Sequence, residues 1–177
     1  MITLITDRKI CNTLIEKIKE LNSNLDQIII REKDLSNKEL FKLYNEILAV
    51  SDNTRIIVNS NEEFIKLYKI KNFHLSQKNF SLIDKSLLVD NFFGVSVHNI
   101  FEVKKVLKYK PNYILVSLIF KSKCKIGVKA HGIEILREIK KITDTKIIAL
   151  GGIDEKNRQI LAENGFYNVA MRSHLLI

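Results

Sequence analysis

Proline and glycine are scarce in this chain, one Pro and six Gly among 177 residues. A multi-strand sandwich with tight turns needs more of both, so that class is excluded. Cysteine is equally sparse. Cys11 and Cys124 stand far apart, at no metal-ligand spacing and with no partners for a disulfide framework. The histidines, His74, His98, His131 and His174, are scattered, and none has a second His or Cys at zinc-ligand spacing. No apolar run approaches the roughly 18–20 residues that cross a bilayer. The start, Met1 to Asp7, has no basic leader and no small-residue cleavage site, and it reads as a strand at once. A cytoplasmic protein is expected. Arginine-rich runs and basic stretches interleaved with aromatics are missing too.

What remains is an ordinary globular composition with a basic surplus. Hydrophobic residues make up 46%, charged residues 28%, and the net charge is +9. All but six of the 29 basic residues are Lys, spread along the whole chain. The surplus therefore reads as a solvated surface, and neither a nucleic-acid nor a membrane partner is expected. The length suits one domain with its own core, residues 1–177.

Short β-rich runs alternate with amphipathic ones. Strands are expected at Ile2–Thr6, Gln27–Arg31, Arg55–Asn59, Phe73–Leu75, Phe92–Val97, Tyr113–Ser117, Lys146–Leu150 and Tyr167–Met171. Several contain unbroken apolar runs, such as Ile28-Ile29-Ile30 and Ile56-Ile57-Val58, as parallel strands covered on both faces require. Between them Leu14, Ile15, Ile18 and Leu21 fall on one helical stripe. Leu40, Leu43, Tyr44, Ile47 and Leu48 form another, Ile100, Val103, Val106 and Leu107 a third, and residues 133–142 repeat the pattern. Capping boxes are expected at Ser36, Ser60 and Asn99, each three residues before a Glu. They mark where a strand's loop hands over to a helix.

Eight strands in strict β-α alternation predict an eight-stranded parallel (β/α)8 TIM barrel, with a doubly wound open sheet as the alternative. Residues 81–90 read as a poor helix. The chain stops at Ile177, soon after the eighth strand, so the last helix is expected to be missing or vestigial. A second copy in a homo-oligomer is expected to cover the barrel face thus left open.

In such a barrel the chemistry sits at the C-terminal ends of the strands. Those ends carry Thr6 and Asp7, then Arg31, Glu32 and Lys33, then Asn59 and Ser60, then Ser76 and Gln77, then Ser96 and His98. Residues 120–125, Gly151, Gly152, Arg172 and Ser173 complete a polar, net-basic ring suited to an anion. Two glycines after a buried strand let backbone N–H groups approach a phosphate, although a plain tight turn also explains them. Arg172 and Ser173 belong to the next loop, and the loops after strands seven and eight commonly share a phosphate. His98 suits either a proton shuttle or a structural hydrogen bond. Arg31 ends a buried strand, where an unpaired charge is costly, which favours a ligand over bare surface.

Five runs carry a family resemblance: Leu4-Ile5-Thr6-Asp7, Ile30-Arg31-Glu32-Lys33, Gly94-Val95-Ser96-Val97-His98, Ile119 through Lys125, and Gly151-Gly152-Ile153. In order and spacing, over nearly the whole chain, they resemble the thiamine-phosphate synthase and thiazole tautomerase superfamily. The resemblance implies a (β/α)8 barrel that binds a phosphorylated thiazole. Synthases of this superfamily join a pyrimidine diphosphate to the thiazole phosphate, with magnesium held by aspartates. At those positions this chain has Ser60 and Asn79, and Ile29 replaces a Gln. Neither Ser60 nor Asn79 offers the anionic oxygen that magnesium takes. The tautomerase branch has a Phe-x-x-x-Cys-Lys run before a Gly, matched here by Phe120, Cys124, Lys125 and Gly127. It aromatises a carboxythiazole phosphate by proton transfer.

The resemblance therefore implies a metal-independent isomerase of thiamine biosynthesis that needs no cofactor. His98 is its expected acid and base. Gly151, Gly152, Arg172 and Ser173 are expected to hold the phosphate. Arg31, Lys33 and Lys125 would stabilise the carboxylate or the developing anion. Asn59, Ser96, Ser122 and Cys124 complete the ligand-binding set, with Cys124 as a contact rather than a nucleophile. Two alternatives stay open: the magnesium-dependent synthase, and a non-catalytic regulatory protein that binds thiazole phosphate on the same fold.

Overall fold

Residues two apart on a strand share a face. Here one face of each strand fills a barrel and the other packs beneath helices. The computed structural model describes residues 1–121, 127 and 129–177. Its strands are β1 (Ile2–Ile5), β2 (Gln27–Ile30), β3 (Arg55–Asn59) and β4 (Asn72–Leu75), followed by β5 (Phe92–Val97), β6 (Tyr113–Ser117), β7 (Lys146–Leu150) and β8 (Val169–Met171). All are parallel and close in sequence order, β8 returning to β1. The closed barrel replaces the open-sheet alternative.

Inward residues Ile5, Ile29, Ile57, Tyr113, Leu115, Ile148 and Ala170 form one buried cluster. Outward residues such as Leu4, Ile28, Val58, Phe73 and Val95 join the helices' apolar stripes in a larger one. At the N-terminal floor the Arg55 guanidinium lies 4.0 Å above the Phe92 ring. Polar groups buried near the floor are paired: Gln27 Nε2 donates to Thr3 Oγ1 at 3.0 Å.

The helices are α1 (Leu14–Leu21), α2 (Asn37–Ala49), α3 (Glu62–Leu67), α4 (Gln77–Leu82), α5 (Ile100–Leu107), α6 (Glu134–Lys140), α7 (Glu155–Glu163) and α8 (Ser173–Leu176). Ser36 forms the full capping box with Glu39. The box expected at Ser60 is displaced by one residue, because Asn61 Oδ1 accepts from Phe64 N at 3.0 Å and caps α3. Residues 81–90 hold the end of α4 and a short 3-10 turn, Lys85–Leu88, capped by Asp84. Strands β1 and β2 end one residue sooner than expected. There the Arg31 N–H leaves the ladder and donates to Thr6 Oγ1 at 3.0 Å.

The eighth helix is a single turn, as the sequence implies. The open barrel face expected behind it does not occur. Val169, Ala170 and Met171 are buried within one chain, and Leu176 of α8 packs in the same cluster as Leu161 and Phe166. The reason for invoking a covering second copy therefore falls away. Among the described residues no helix is long and apolar enough to cross a membrane.

Candidate functional site

The strand register sets out the rim of the barrel mouth. Leu150 pairs with Ala170, and the loops that follow carry Gly152 and Arg172. Thr3 pairs with both Ala170 and Gln27. The inward alternation Gln27, Ile29, Arg31 thus runs level with Thr3, Ile5, Asp7. The order round the rim is Gly152, Arg172, Asp7, Arg31.

These side chains interact. Arg172 Nη1 lies 3.1 Å from Asp7 Oδ2. Arg31 is half-buried, and its guanidinium is held below its usual range, first by burial and then by the like charge of Arg172; Asp7 and Glu32 partly offset both. Among the described residues Arg31 has no carboxylate within ion-pair distance. Glu32 is not free to serve it. The buried Glu32 carboxylate accepts from the Arg8 backbone N–H at 3.2 and 3.3 Å and pairs with Arg8 Nε at 3.5 Å. One acid, Asp7, therefore faces two guanidinia, and the deficit of negative charge suits an anionic ligand.

Gly151 and Gly152 have φ of 109° and 63°. A side chain at Gly152 would run into Phe120 and the Lys121 carbonyl, because the loops after β6 and β7 lie against each other. Ile119 N donates to Leu150 O at 3.0 Å, and Phe120 N to Gly151 O at 2.9 Å. Close packing alone thus accounts for both glycines. Even so, among the described residues the amides of Gly152 and Ile153 have no acceptor. Asp154 caps α7, its Oδ1 accepting from Asn157 N at 2.8 Å, so the helix end itself is already satisfied.

The remaining expected residues divide. Asn59 ends β3 half-buried and pairs with His74 in the register. Lys33 is exposed and forms no ion pair among the described residues. Ser173 opens α8 and has an interaction partner of its own. Ser122, Cys124 and Lys125 lie outside the described residues. His98 follows the last residue of β5. Its side chain is 45% exposed, and Nδ1 lies 3.1 Å from Glu102 Oε2 on the next helix. Local capping explains this: Asn99 Oδ1 takes the Glu102 N–H, and the Glu102 carboxylate takes the His98 N–H at 2.8 Å.

Ser96, also expected, is tied to a residue the sequence did not single out. His74 is fully buried, with Nε2 2.7 Å from Ser96 Oγ and Nδ1 3.0 Å from the Tyr113 hydroxyl. In the sequence Tyr113 marks only the start of an expected strand. Asp7, a member of the expected polar ring, was given no role there, and extending the Thr3, Ile5 alternation by one step puts it on the inward face.

The positions where the superfamily keeps magnesium carboxylates are closed here by a neutral contact. Asn79 Nδ2 donates to the Ser60 carbonyl at 2.9 Å. Among the described residues no group of three or more His, Cys, Asp or Glu could hold a metal. The donor set does not fit magnesium. Calorimetric titration of the wild type with magnesium is expected to give no saturable heat. In S60D/N79D the donor becomes a carboxylate facing the Ser60 carbonyl, and saturable binding is expected to appear. Equal binding by both proteins would disprove this assignment.

Comparison with known proteins identifies the family and the fold. The family model described as thiamine monophosphate synthase matches residues 2–175. A thiamine-phosphate synthase of Clostridium tetani is 29% identical over 185 residues, covering 98% of this chain and 86% of that protein. One of Clostridium botulinum is 29% identical over 181 residues, covering 98% and 88%. Thiamine phosphate pyrophosphorylase from Pyrococcus furiosus has a TM-score of 0.82 at 19% identity, covering 97% of this chain and 85% of that one. It shows the fold. The curated relatives carry a transferase's name, and this overturns the expectation of a tautomerase and of an isomerase. The Cys-Lys pair that favoured the tautomerase lies outside the described residues, and His98, its intended proton carrier, is on the exposed rim.

Proposed function

Since the chain belongs to the thiamine monophosphate synthase family, we propose that it couples a pyrimidine diphosphate to thiazole phosphate in the barrel mouth, yielding thiamine phosphate. The observation that carries this reading is the Arg31–Arg172 pair, two guanidinia served by one carboxylate. The thiazole nitrogen bonds to the methylene carbon of the pyrimidine, and the carbon–oxygen bond to diphosphate breaks. Diphosphate leaves with the bonding electrons. The nitrogen becomes quaternary, so this step moves no proton and leaves His98 without a shuttle's task.

Arg31 and Arg172 meet the charge that grows on the leaving diphosphate, where fixed cations act most strongly. The amides of Gly152 and Ile153, with Ser173, take the thiazole phosphate. Asn59 and Ser96, at the ends of β3 and β5, orient the rings, and Lys33 adds positive charge at the rim. No step is assigned to a metal, since Ser60 and Asn79 do not fit one.

Purified protein supplied with both substrates is expected to form thiamine phosphate, detected by oxidation to its fluorescent thiochrome. Arg31→Met is expected to lower kcat/KM on the order of 100-fold, the scale for removing one charge-stabilising donor. Substrate binding without product would reject the coupling. It would leave a non-catalytic thiazole-phosphate-binding protein, the reading that the closed Ser60–Asn79 contact favours.

A further inference from the structure

His74, Gly94 and Tyr113 stand on one rung of the barrel. The register pairs His74 with Gly94 on β4 and β5, and Gly94 with Tyr113 on β5 and β6. Gly94 has no side chain, and the Tyr113 ring fills the space its Cβ would take. The ring thereby crosses an entire strand. It stacks beside His74 at 18° between planes, with centroids 5.6 Å apart, and its hydroxyl lies 3.0 Å from Nδ1. On its other side His74 Nε2 lies 2.7 Å from Ser96 Oγ, one rung nearer the mouth.

The direction of these hydrogen bonds follows from counting protons. Burial, with the nearby charge of Arg31, pushes the His74 imidazole down to about 3, so it is neutral and carries one N–H. The Tyr113 hydroxyl keeps its proton, because burial pushes its pKa up. Among the described residues that buried O–H has no acceptor but His74 Nδ1. A buried donor left unmade is expensive, so Tyr113 donates to Nδ1. The single imidazole proton is then on Nε2, where it donates to Ser96 Oγ. The oxygen of Ser96 is used as an acceptor, and its own hydrogen is free to point elsewhere. Ser96 is only half-buried, at the mouth end of β5.

We propose that Tyr113 and His74 are positioning residues that turn the Ser96 hydroxyl hydrogen away from His74, so that it is presented to a ligand acceptor in the mouth. The acceptor is an unprotonated ring nitrogen or an oxygen. The ligand half of this inference rests on the proposed occupancy of the mouth. The hydrogen-bond direction does not depend on it.

Nitrogen NMR of the full chain labelled with 15N-histidine separates the two halves. His74 is assigned by loss of its signals in His74→Gln. The expected result is an unprotonated Nδ1 and a protonated Nε2 from about pH 7 down to about pH 5. A protonated Nδ1 overturns the relay. Tyr113→Phe removes the donor and is expected to release the ring into exchange between tautomers.

The second measurement titrates wild type, Ser96→Ala, Tyr113→Phe and the double variant with the pyrimidine diphosphate and, separately, with thiazole phosphate. For one of the two substrates both single variants are expected to bind about tenfold more weakly, with the double variant no worse than Ser96→Ala alone. Tyr113→Phe binding like wild type while Ser96→Ala is weakened would overturn the positioning role. Unchanged binding by Ser96→Ala would overturn the acceptor assignment. Failure of the wild type to bind either substrate overturns the occupancy reading and the acceptor assignment with it, while the nitrogen shifts still decide the relay.

Discussion

Lowering the pH from about 7 to about 5 is expected to remove roughly 2 kcal/mol of folding stability through His74 alone. In the folded barrel burial, aided by the charge of Arg31, holds this imidazole neutral, with its pKa moved from 6.5 to about 3. In the unfolded chain it takes up a proton near 6.5. Between those two values the unfolded state binds more protons, so stability falls as pH falls. The contribution is fully present above the unfolded value and is lost progressively towards 3, at a slope approaching about 1.4 kcal/mol per pH unit. Glu39, Glu62 and Asp84 also have lowered values, all from hydrogen bonds, but as carboxylates they act below about 4.5, outside this window. Urea unfolding at both pH values reads the effect. His74→Gln keeps a donor and an acceptor but does not titrate, so its stability is expected to be nearly level across the window. An equal slope in both proteins would assign the loss elsewhere.

Gly94→Ala is expected to cost roughly 3 kcal/mol, combining overpacking with a broken buried hydrogen bond. The conformation is not at issue, since Gly94 has no positive φ. The cost comes from what lies above it, three carbon atoms of the Tyr113 ring in the space a methyl group would take. The ring must move, and moving it draws the hydroxyl off His74 Nδ1. A double-mutant cycle checks the cause. On a Tyr113→Ala background the ring is gone, and Gly94→Ala should cost much less. Additive losses would show that the two positions do not interact.

The fold was legible because apolar runs of four to six residues, each followed by a helical stripe, admit few topologies. Most of the strands lie where Ile, Val and Leu accumulate, and at the ends of β1 and β2 a side chain replaces a ladder partner, as Thr6 does for Arg31. The basic rim was legible in the same way, since Arg31 continues the inward alternation of Gln27 and Ile29. The Tyr113–His74–Ser96 line was not. It joins residues 22 and 39 positions apart, and only the register across three strands shows that a glycine lets the ring through. His98 hid a local contact instead. It follows Ser96 by two and so belongs to the inward phase, but the cap of α5 captures it locally. The choice of reaction rested on few positions, among them Ser60, Asn79 and Cys124. Residue type at so few points does not fix which bond a shared mouth makes.

The Arg55–Phe92 stopper turns the barrel into a blind well. Above it Ile29, Ile57, Leu115 and Ile148 fill inward positions in one buried cluster. On the proposed reading, a ligand at the rim would leave past Arg31 and Arg172 again. For a reaction that liberates diphosphate, the cations that help it leave carbon also detain it afterwards. Under the proposed coupling, each new turnover would wait for that anion to clear the doorway, and free diphosphate would compete with fresh substrate for the same threshold.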